Sequence, residues 1–343
     1  MAYTTINKST DYFNTLTWTG DGSSSRNITG VGFQPDWVWG KCRNTTVSHA
    51  LYDAVRGGSK LLNSNTTSAE GTNAALSAFI SDGFTVNSDS YLNGNSNTYA
   101  SWNWKAGGTV SNNNNNDGQG YSTVSANTTA GFSIVKYTGT GSNTNFGHGL
   151  GAVPKMILIK DLSNTRDWFV YHEKVGNSKR LKLNESVSQG NSTVWNSTTP
   201  TSSVFYIDGS VYVNNSGSNY IAYCFTDVTG YSKFGSYSGN SNSNGSFIFL
   251  GFKPSFIMVK RTDTGNSYDN WIIYDNKRSG YNVDNDRLHA DISDAENTDN
   301  TIDIVSNGFK IRSANSNLNG GSHIYMAFGQ SLVGSNNVPC TAR

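Results

Sequence analysis

The sequence predicts an all-β protein: three tandem antiparallel β-sandwich repeats, jelly-roll or lectin-like, with little helix. Three observations lead there. First, Gly32-Phe33-Gln34-Pro35-Asp36-Trp37-Val38-Trp39-Gly40-Lys41 returns as Gly151-Ala152-Val153-Pro154-Lys155-Met156-Ile157-Leu158-Ile159-Lys160. It returns again as Gly251-Phe252-Lys253-Pro254-Ser255-Phe256-Ile257-Met258-Val259-Lys260. Each copy reads Gly-x-x-Pro, an apolar run, then a lysine six positions after the proline. Prolines 35, 154 and 254 stand 119 and 100 residues apart, about one small domain each and far beyond short solenoid periods. Second, the apolar fraction is only 35% while aromatics reach 12%, charged residues make up only 14%, and the polar remainder is chiefly Asn, Ser, Thr and Gly. Turn formers paired with strand formers indicate many short strands. Third, turn signals divide each copy into seven or eight short strands, the density of a two-sheet sandwich.

Taken in order, residues 1–13 read as a polar lead-in, 14–108 as repeat 1, 109–130 as an Asn-rich linker, 131–230 as repeat 2, 231–333 as repeat 3 and 334–343 as a polar tail. Each repeat opens on a strand that runs into a Gly turn: Leu16-Thr17-Trp18-Thr19-Gly20, Ile134-Val135-Lys136-Tyr137-Thr138-Gly139 and Phe234-Gly235-Ser236-Tyr237-Ser238-Gly239. The Gly-x-x-Pro strand follows. Met156-Ile157-Leu158-Ile159 is apolar throughout, which predicts a central strand covered on both faces. A strand ending in Tyr comes next: His49 to Asp53, Trp168 to His172, Trp271 to Asp275. Arg56 and Arg278 lie three residues after Asp53 and Asp275, predicting an Asp–Arg pair that closes a turn. Repeat 2 has His172 instead. The stretch 68–79 is the best helical candidate, one or two short turns weakened by Gly71. The last strand carries Tyr99, Trp102 and Trp104 in repeat 1 and Tyr220, Tyr223 and Phe225 in repeat 2. Period-two alternation places Trp102 and Trp104 on one face, and Tyr223 and Phe225 likewise. The five asparagines 112–116 read as solvated linker.

Little in the sequence points to chemistry. A net charge of +1 without a basic block gives no electrostatic footprint for nucleic acid or an anionic membrane. No apolar run approaches a membrane span, and the first residues lack the apolar core of a secretory signal. Cys42, Cys224 and Cys340 form neither a CxxC pair nor a disulfide framework; Cys42 and Cys224 read as buried small hydrophobes. The five histidines share no ligand spacing, so no metal and no cofactor is expected. Gly20-Asp21-Gly22 and Gly139-Thr140-Gly141 precede strands and are hairpin turns, not phosphate loops. Repeat-matched aromatics predict core. Aromatics that break the repeat, Trp195, Tyr212, Tyr268 and Tyr281, are the candidate glycan contacts.

Several longer motifs carry a resemblance: Met1-Ala2-Tyr3-Thr4-Thr5-Ile6 with Tyr12-Phe13-Asn14-Thr15, Leu51-Tyr52-Asp53-Ala54-Val55-Arg56-Gly57, Trp102-Asn103-Trp104-Lys105-Ala106-Gly107-Gly108 and Gly230-Tyr231-Ser232-Lys233-Phe234-Gly235-Ser236-Tyr237. Over nearly its whole length the chain resembles a family of uncharacterised virion proteins of marine bacteriophages, tail-fibre or virion structural proteins. The resemblance implies a place, the virion, reached from the host bacterial cytoplasm without a signal peptide. It implies no catalytic residue. The expectation is a non-enzymatic tail-fibre or tail-tip component, homotrimeric, bound to other virion proteins and contacting a host envelope glycan. The alternatives are a capsid decoration or head-fibre protein on the major capsid protein, and a tail-associated polysaccharide depolymerase.

Overall fold

A computed structural model describes residues 4–107, 111–114, 121–265, 269–279, 282–299 and 301–333, with backbone alone for 111–114 and 121. Among them lie 27 strands, one turn of α-helix at Ser316–Asn319 and a 3₁₀ turn at Ser9–Asp11. Repeat 1 holds β1 (Phe13–Thr19), β2 (Arg26–Thr29), β3 (Trp37–Cys42), β4 (Ala50–Asp53), β5 (Lys60–Leu61), β6 (Gly71–Thr72), β7 (Leu76–Ile80), β8 (Gly83–Val86) and β9 (Thr98–Trp104). Repeat 2 holds β10 (Ser111–Asn114), β11 (Tyr121–Asn127), β12 (Phe132–Thr138), β13 (Thr144–Gly147), β14 (Met156–Asp161), β15 (Phe169–His172), β16 (Lys179–Lys182), β17 (Gly190–Asn191), β18 (Val204–Ile207) and β19 (Asn219–Phe225). Repeat 3 holds β20 (Ser232–Ser238), β21 (Phe247–Phe249), β22 (Lys253–Arg261), β23 (Ile272–Asp275), β24 (Leu288–His289), β25 (Ile302–Val305), β26 (Gly308–Ile311) and β27 (Ser322–Gln330).

Each repeat has the same antiparallel main sheet, in the orders β1-β9-β3-β4, β12-β19-β14-β15 and β20-β27-β22-β23. A smaller sheet, β2-β8-β7, β13-β18 or β21-β26-β25, shares an apolar cluster with the outer face of its main sheet. The Gly of each Gly-x-x-Pro has positive φ (Gly32 +91°, Gly151 +68°, Gly251 +85°), a backbone that other residues rarely adopt. This accounts for its threefold recurrence.

The inner faces of the three main sheets have no cover of their own. They meet in one cluster that joins Trp37, Trp39, Trp102 and Trp104 of repeat 1 to Met156, Leu158, Tyr223 and Phe225 of repeat 2 and to Phe256, Met258, Met326 and Phe328 of repeat 3. Register fixes the equivalences. Trp104 pairs with Trp37, Phe225 with Met156 and Phe328 with Phe256, so Trp104, Phe225 and Phe328 are one position seen three times. Their rings form a triangle with centroid separations of 6.4 Å, 6.1 Å and 5.8 Å. Three copies of one residue in mutual contact define an approximate threefold axis within a single chain. The central strand behaves as its apolar run predicts: Met156 and Leu158 enter the shared core, Ile157 and Ile159 the core of repeat 2.

The lead-in is docked: Ile6 lies in the shared core at 2% exposure, and Gln330 Oε1 accepts from Ser9 N at 2.7 Å. Three expectations need correction. The stretch 109–130 contains β10 and β11, which extend the repeat 2 sheet past β12, because Ser and Asn donate and accept in a ladder as well as any residue. Residues 68–79 form β6 and the start of β7, not helix; Leu76 and Ala75 are needed on the repeat 1 core, and tertiary packing overrides weak propensity. The repeats are not self-contained sandwiches, since each leaves its inner face to the other two. Residues 334–343, Cys340 among them, lie outside the described residues.

A shared core predicts shared unfolding. Trp104→Ala or Phe225→Ala should cost about 3–5 kcal/mol, and calorimetry should show one transition for the whole chain. Three resolved transitions would contradict the shared core.

Candidate functional site

The ring of repeats is closed by polar contacts that repeat with it. Trp168 Nε1 donates to Asn63 O at 2.9 Å and Trp271 Nε1 to Lys182 O at 2.8 Å, each in the preceding repeat. In repeat 1 the matched residue is His49. Its Nδ1 accepts from Trp39 Nε1, so Nε2 carries the proton and donates to His289 O of repeat 3 at 2.8 Å. Glu70 N, Gln189 N and Glu296 N donate to Leu162 O, Thr262 O and Arg43 O respectively, again one repeat to another. Two of the three recurrent lysines belong to this set, while Lys41 Nζ donates to Cys42 O of its own repeat. Lys160 Nζ donates to Thr67 O across the repeat boundary and Lys260 Nζ to Ser186 O; all three lysines are fully buried. Burial pulls Lys41, Lys160 and Lys260 down to about 8.

The Asp–Arg pairs sit at the same boundaries, and neither Asp53 nor Asp275 has any exposed surface. Arg278 Nε donates to Asp275 Oδ2 at 2.6 Å and its Nη1 to Glu296 at 2.6 Å; Asp53, Arg56 and Glu70 form the same triad. Each aspartate also accepts from the adjoining repeat: Tyr223 Oη to Asp53 at 2.7 Å, Trp102 Nε1 to Asp275 at 2.9 Å. Tyr223 and Trp102 are matched positions whose third copy is Met326, which has no donor. Facing repeat 3, repeat 2 accordingly carries no such triad: His172, Val175 and Gln189 stand in place of Asp, Arg and Glu, and His172 Nε2 reaches Tyr325 O at 3.3 Å. The Asp–Arg motif is therefore a joint between repeats.

Open surface for a ligand occurs where repeat 2 departs from the pattern. A cleft of about 640 Å³ lies between β15, β16 and the segments 191–197 and 208–212. Phe169 stacks on Tyr212 with ring centroids 5.4 Å apart. The Arg180 guanidinium lies 5.6 Å from the Phe169 centroid. Lys182 is paired with Asp167 at 2.8 Å and Glu185 at 2.9 Å. Burial opposes both charges in the first of these pairs, yet hydrogen bonding wins: Lys182 and Asn184 hold Asp167 below the usual carboxylate range, and Asp167 and Glu185 hold Lys182 above its own. Asp208 accepts from Thr193 Oγ1 at 2.8 Å and Ser210 N at 2.9 Å. Val194 and several Ser, Thr and Asn residues fill the rest of the lining. A second depression of about 470 Å³ lies between repeats 2 and 3 beside Lys174, Tyr237 and His323.

Of the four expected glycan contacts, Tyr212 lines this cleft at 43% exposure. Trp195 does not face it: at 1% exposure it packs edge-on against Tyr171, and its Nε1 donates to Lys179 O. A wide loop, 192–203, needs an apolar anchor, and Trp195 supplies it. Tyr268 and Tyr281 lie outside the described residues. Phe169 was missed although it satisfies the same rule, being an aromatic where the other repeats have Ala50 and Ile272. Among the described residues no three His, Cys, Asp or Glu side chains gather as a metal site, and no helix is long and apolar enough to cross a membrane.

A family model described as a domain of unknown function, DUF7483, matches residues 8–331. The chain belongs to this family. No curated protein and no solved structure matches it. The DUF7483 match spans all three repeats, consistent with a ring that is one folding unit.

Two sets of measurements test this picture. Tyr223→Phe strips a donor from buried Asp53 and should cost about 1–3 kcal/mol in denaturant. His172→Asp, facing Met326 with no arginine beside it, should cost about 3–5 kcal/mol, and adding Val175→Arg with Gln189→Glu should recover part of it. For pH, burial lowers His49 to about 3 and His148, His172, His289 and His323 to about 4. Unfolded histidines bind protons from pH 6.5 downward while these do not, so stability should fall between pH 6.5 and 4. Asp284 and Asp291, raised by burial to about 8 and about 7, oppose this, because the folded state holds their protons where the unfolded state has lost them. Burial raises Asp227 and Asp286 in the same direction; five histidines against four carboxylates still leave net acid destabilisation, and a melting temperature flat from pH 7 to 4 would contradict it.

Proposed function

We propose that this chain is a non-enzymatic structural protein of a bacteriophage particle surface, a tail-fibre or tail-tip component, and that the repeat 2 cleft is where it meets a host saccharide. One observation carries the reading: the conserved parts of the repeat are consumed in closing the ring, while the departure in repeat 2 opens a cleft lined by hydroxyl, amide and charged side chains around an exposed tyrosine. Sugar recognition needs this combination of an aromatic face with several fixed polar groups. The motif resemblance to phage virion proteins supplies the setting. The non-enzymatic reading is supported by Asp53 and Asp275, which are buried in ion pairs away from the cleft.

The threefold ring favours a second placement. A single chain with approximate threefold symmetry presents the footprint of a trimer, which fits a threefold or quasi-threefold point of a capsid lattice. Density for the chain at such points in a whole-particle map would select capsid decoration over the tail. The sugar-binding part is tested on a glycan array with the purified chain: binding is expected, and Tyr212→Ala should weaken it about 3- to 10-fold. Absence of binding to every saccharide would remove the cleft's assignment.

A further inference from the structure

We propose that the repeat 2 cleft selects a saccharide that bears a carboxylate, with Arg180 as its anchor; the inference rests on the sugar-binding reading above. Arg180 is held but not neutralised. Its guanidinium lies on the Phe169 ring and against Gly190, where a Cβ would meet Nη1 and push this flexible end aside. Among the described residues it makes no hydrogen bond and no ion pair. The other cation of the lining, Lys182, is committed to Asp167 and Glu185. A guanidinium stacked by its face keeps its N–H edges free, and those edges form a bidentate fork that suits a carboxylate and that a neutral hydroxyl cannot fill.

The remaining chemistry argues for a sugar acid over a simple anion. Asp208 stands on the same lining, does not pair with Arg180, and keeps acceptor capacity after its bonds from Thr193 and Ser210. It can accept from ring hydroxyls that a carboxylate on Arg180 would bring beside it. Ser178, Asn191 and Ser197 line the cleft with side chains that make no hydrogen bond among the described residues. A uronic acid unit offers what this lining lacks, one carboxylate and several hydroxyls on one ring. The cleft volume, about 640 Å³, exceeds what a small free anion requires.

The test is titration calorimetry of the full chain with polyuronate oligosaccharides, the same oligosaccharides after carboxyl reduction, dextran and dextran sulfate. Polyuronate should bind, carboxyl reduction should weaken binding at least about tenfold, and Arg180→Ala should do the same. Arg180→Lys should restore little, since a point charge cannot present the fork, and Gly190→Ala should weaken binding by displacing the guanidinium. The Arg180 side chain makes no hydrogen bond or ion pair in the described fold, so its variants lose only the stack on Phe169 and should stay folded, with melting temperatures lowered by no more than about 5 °C. Equal binding of the reduced oligosaccharide, or full affinity in Arg180→Ala, would overturn the carboxylate assignment and leave the sugar-binding reading standing. Dextran sulfate bound as tightly as polyuronate would replace it with general anion binding. No binding of any saccharide would overturn both.

Discussion

The fold depends on the contact of three rings. Trp104, Phe225 and Phe328 occupy one register position in three sheets, and each touches the other two. Removal of any repeat would leave two inner faces open to water, each with several large apolar side chains. Burial of those faces is the dominant favourable term, and none of it is available to a repeat alone. The small outer sheets satisfy only the other face. Closure thus works as in a cyclic oligomer, but covalent linkage replaces subunit association and removes its dependence on concentration.

Electrostatics at the seams follow from this closure. A carboxylate at zero exposure persists only with full hydrogen bonding. Asp53 and Asp275 each have an arginine from their own turn and a donor from the neighbouring repeat, Tyr223 or Trp102. At the third seam the facing residue is Met326, and the charged triad is absent. Three side chains, His172, Val175 and Gln189, differ together at the seam where Met326 offers no donor. A neutral histidine suits it: its N–H needs a carbonyl, which the backbone at Tyr325 provides.

Much of this was legible in the sequence, though not its meaning. The Gly-x-x-Pro recurrence marked the repeats, period-two alternation put Trp102 with Trp104 and Tyr223 with Phe225, and the apolar run 156–159 foretold two covered faces. The matched aromatics indicated core, but a one-dimensional pattern does not distinguish a core inside a repeat from a core between repeats, since both need the same alternation. The lysine after each proline was visible as a recurrence without a reason; its partners, Thr67 and Ser186, lie in other repeats and share no local signal with it. The 109–130 stretch misled because polar composition reports a lack of core-forming residues, whereas an edge hairpin draws its order from backbone pairing to β12.

The candidate site follows from the same distinction, read in reverse. Positions that agree among repeats are constrained by the ring, so they cannot serve a ligand without disturbing it. Positions that disagree are free of that constraint, and two kinds are found. His172, Val175 and Gln189 disagree because their seam differs. Phe169, where repeat 1 has Ala50 and repeat 3 has Ile272, faces no seam; buried at 2% exposure, it lies under Arg180 and against the exposed Tyr212. Trp195 also breaks the repeat, yet it is enclosed as an anchor for the loop that walls the cleft. Departure from the repeat is therefore a necessary mark of the site and not a sufficient one. What separates Phe169 and Tyr212 from Trp195 is the company each keeps: the Arg180 guanidinium over the first, the Arg166 guanidinium over the half-exposed ring of the second, and a tyrosine edge with a carbonyl acceptor for the third.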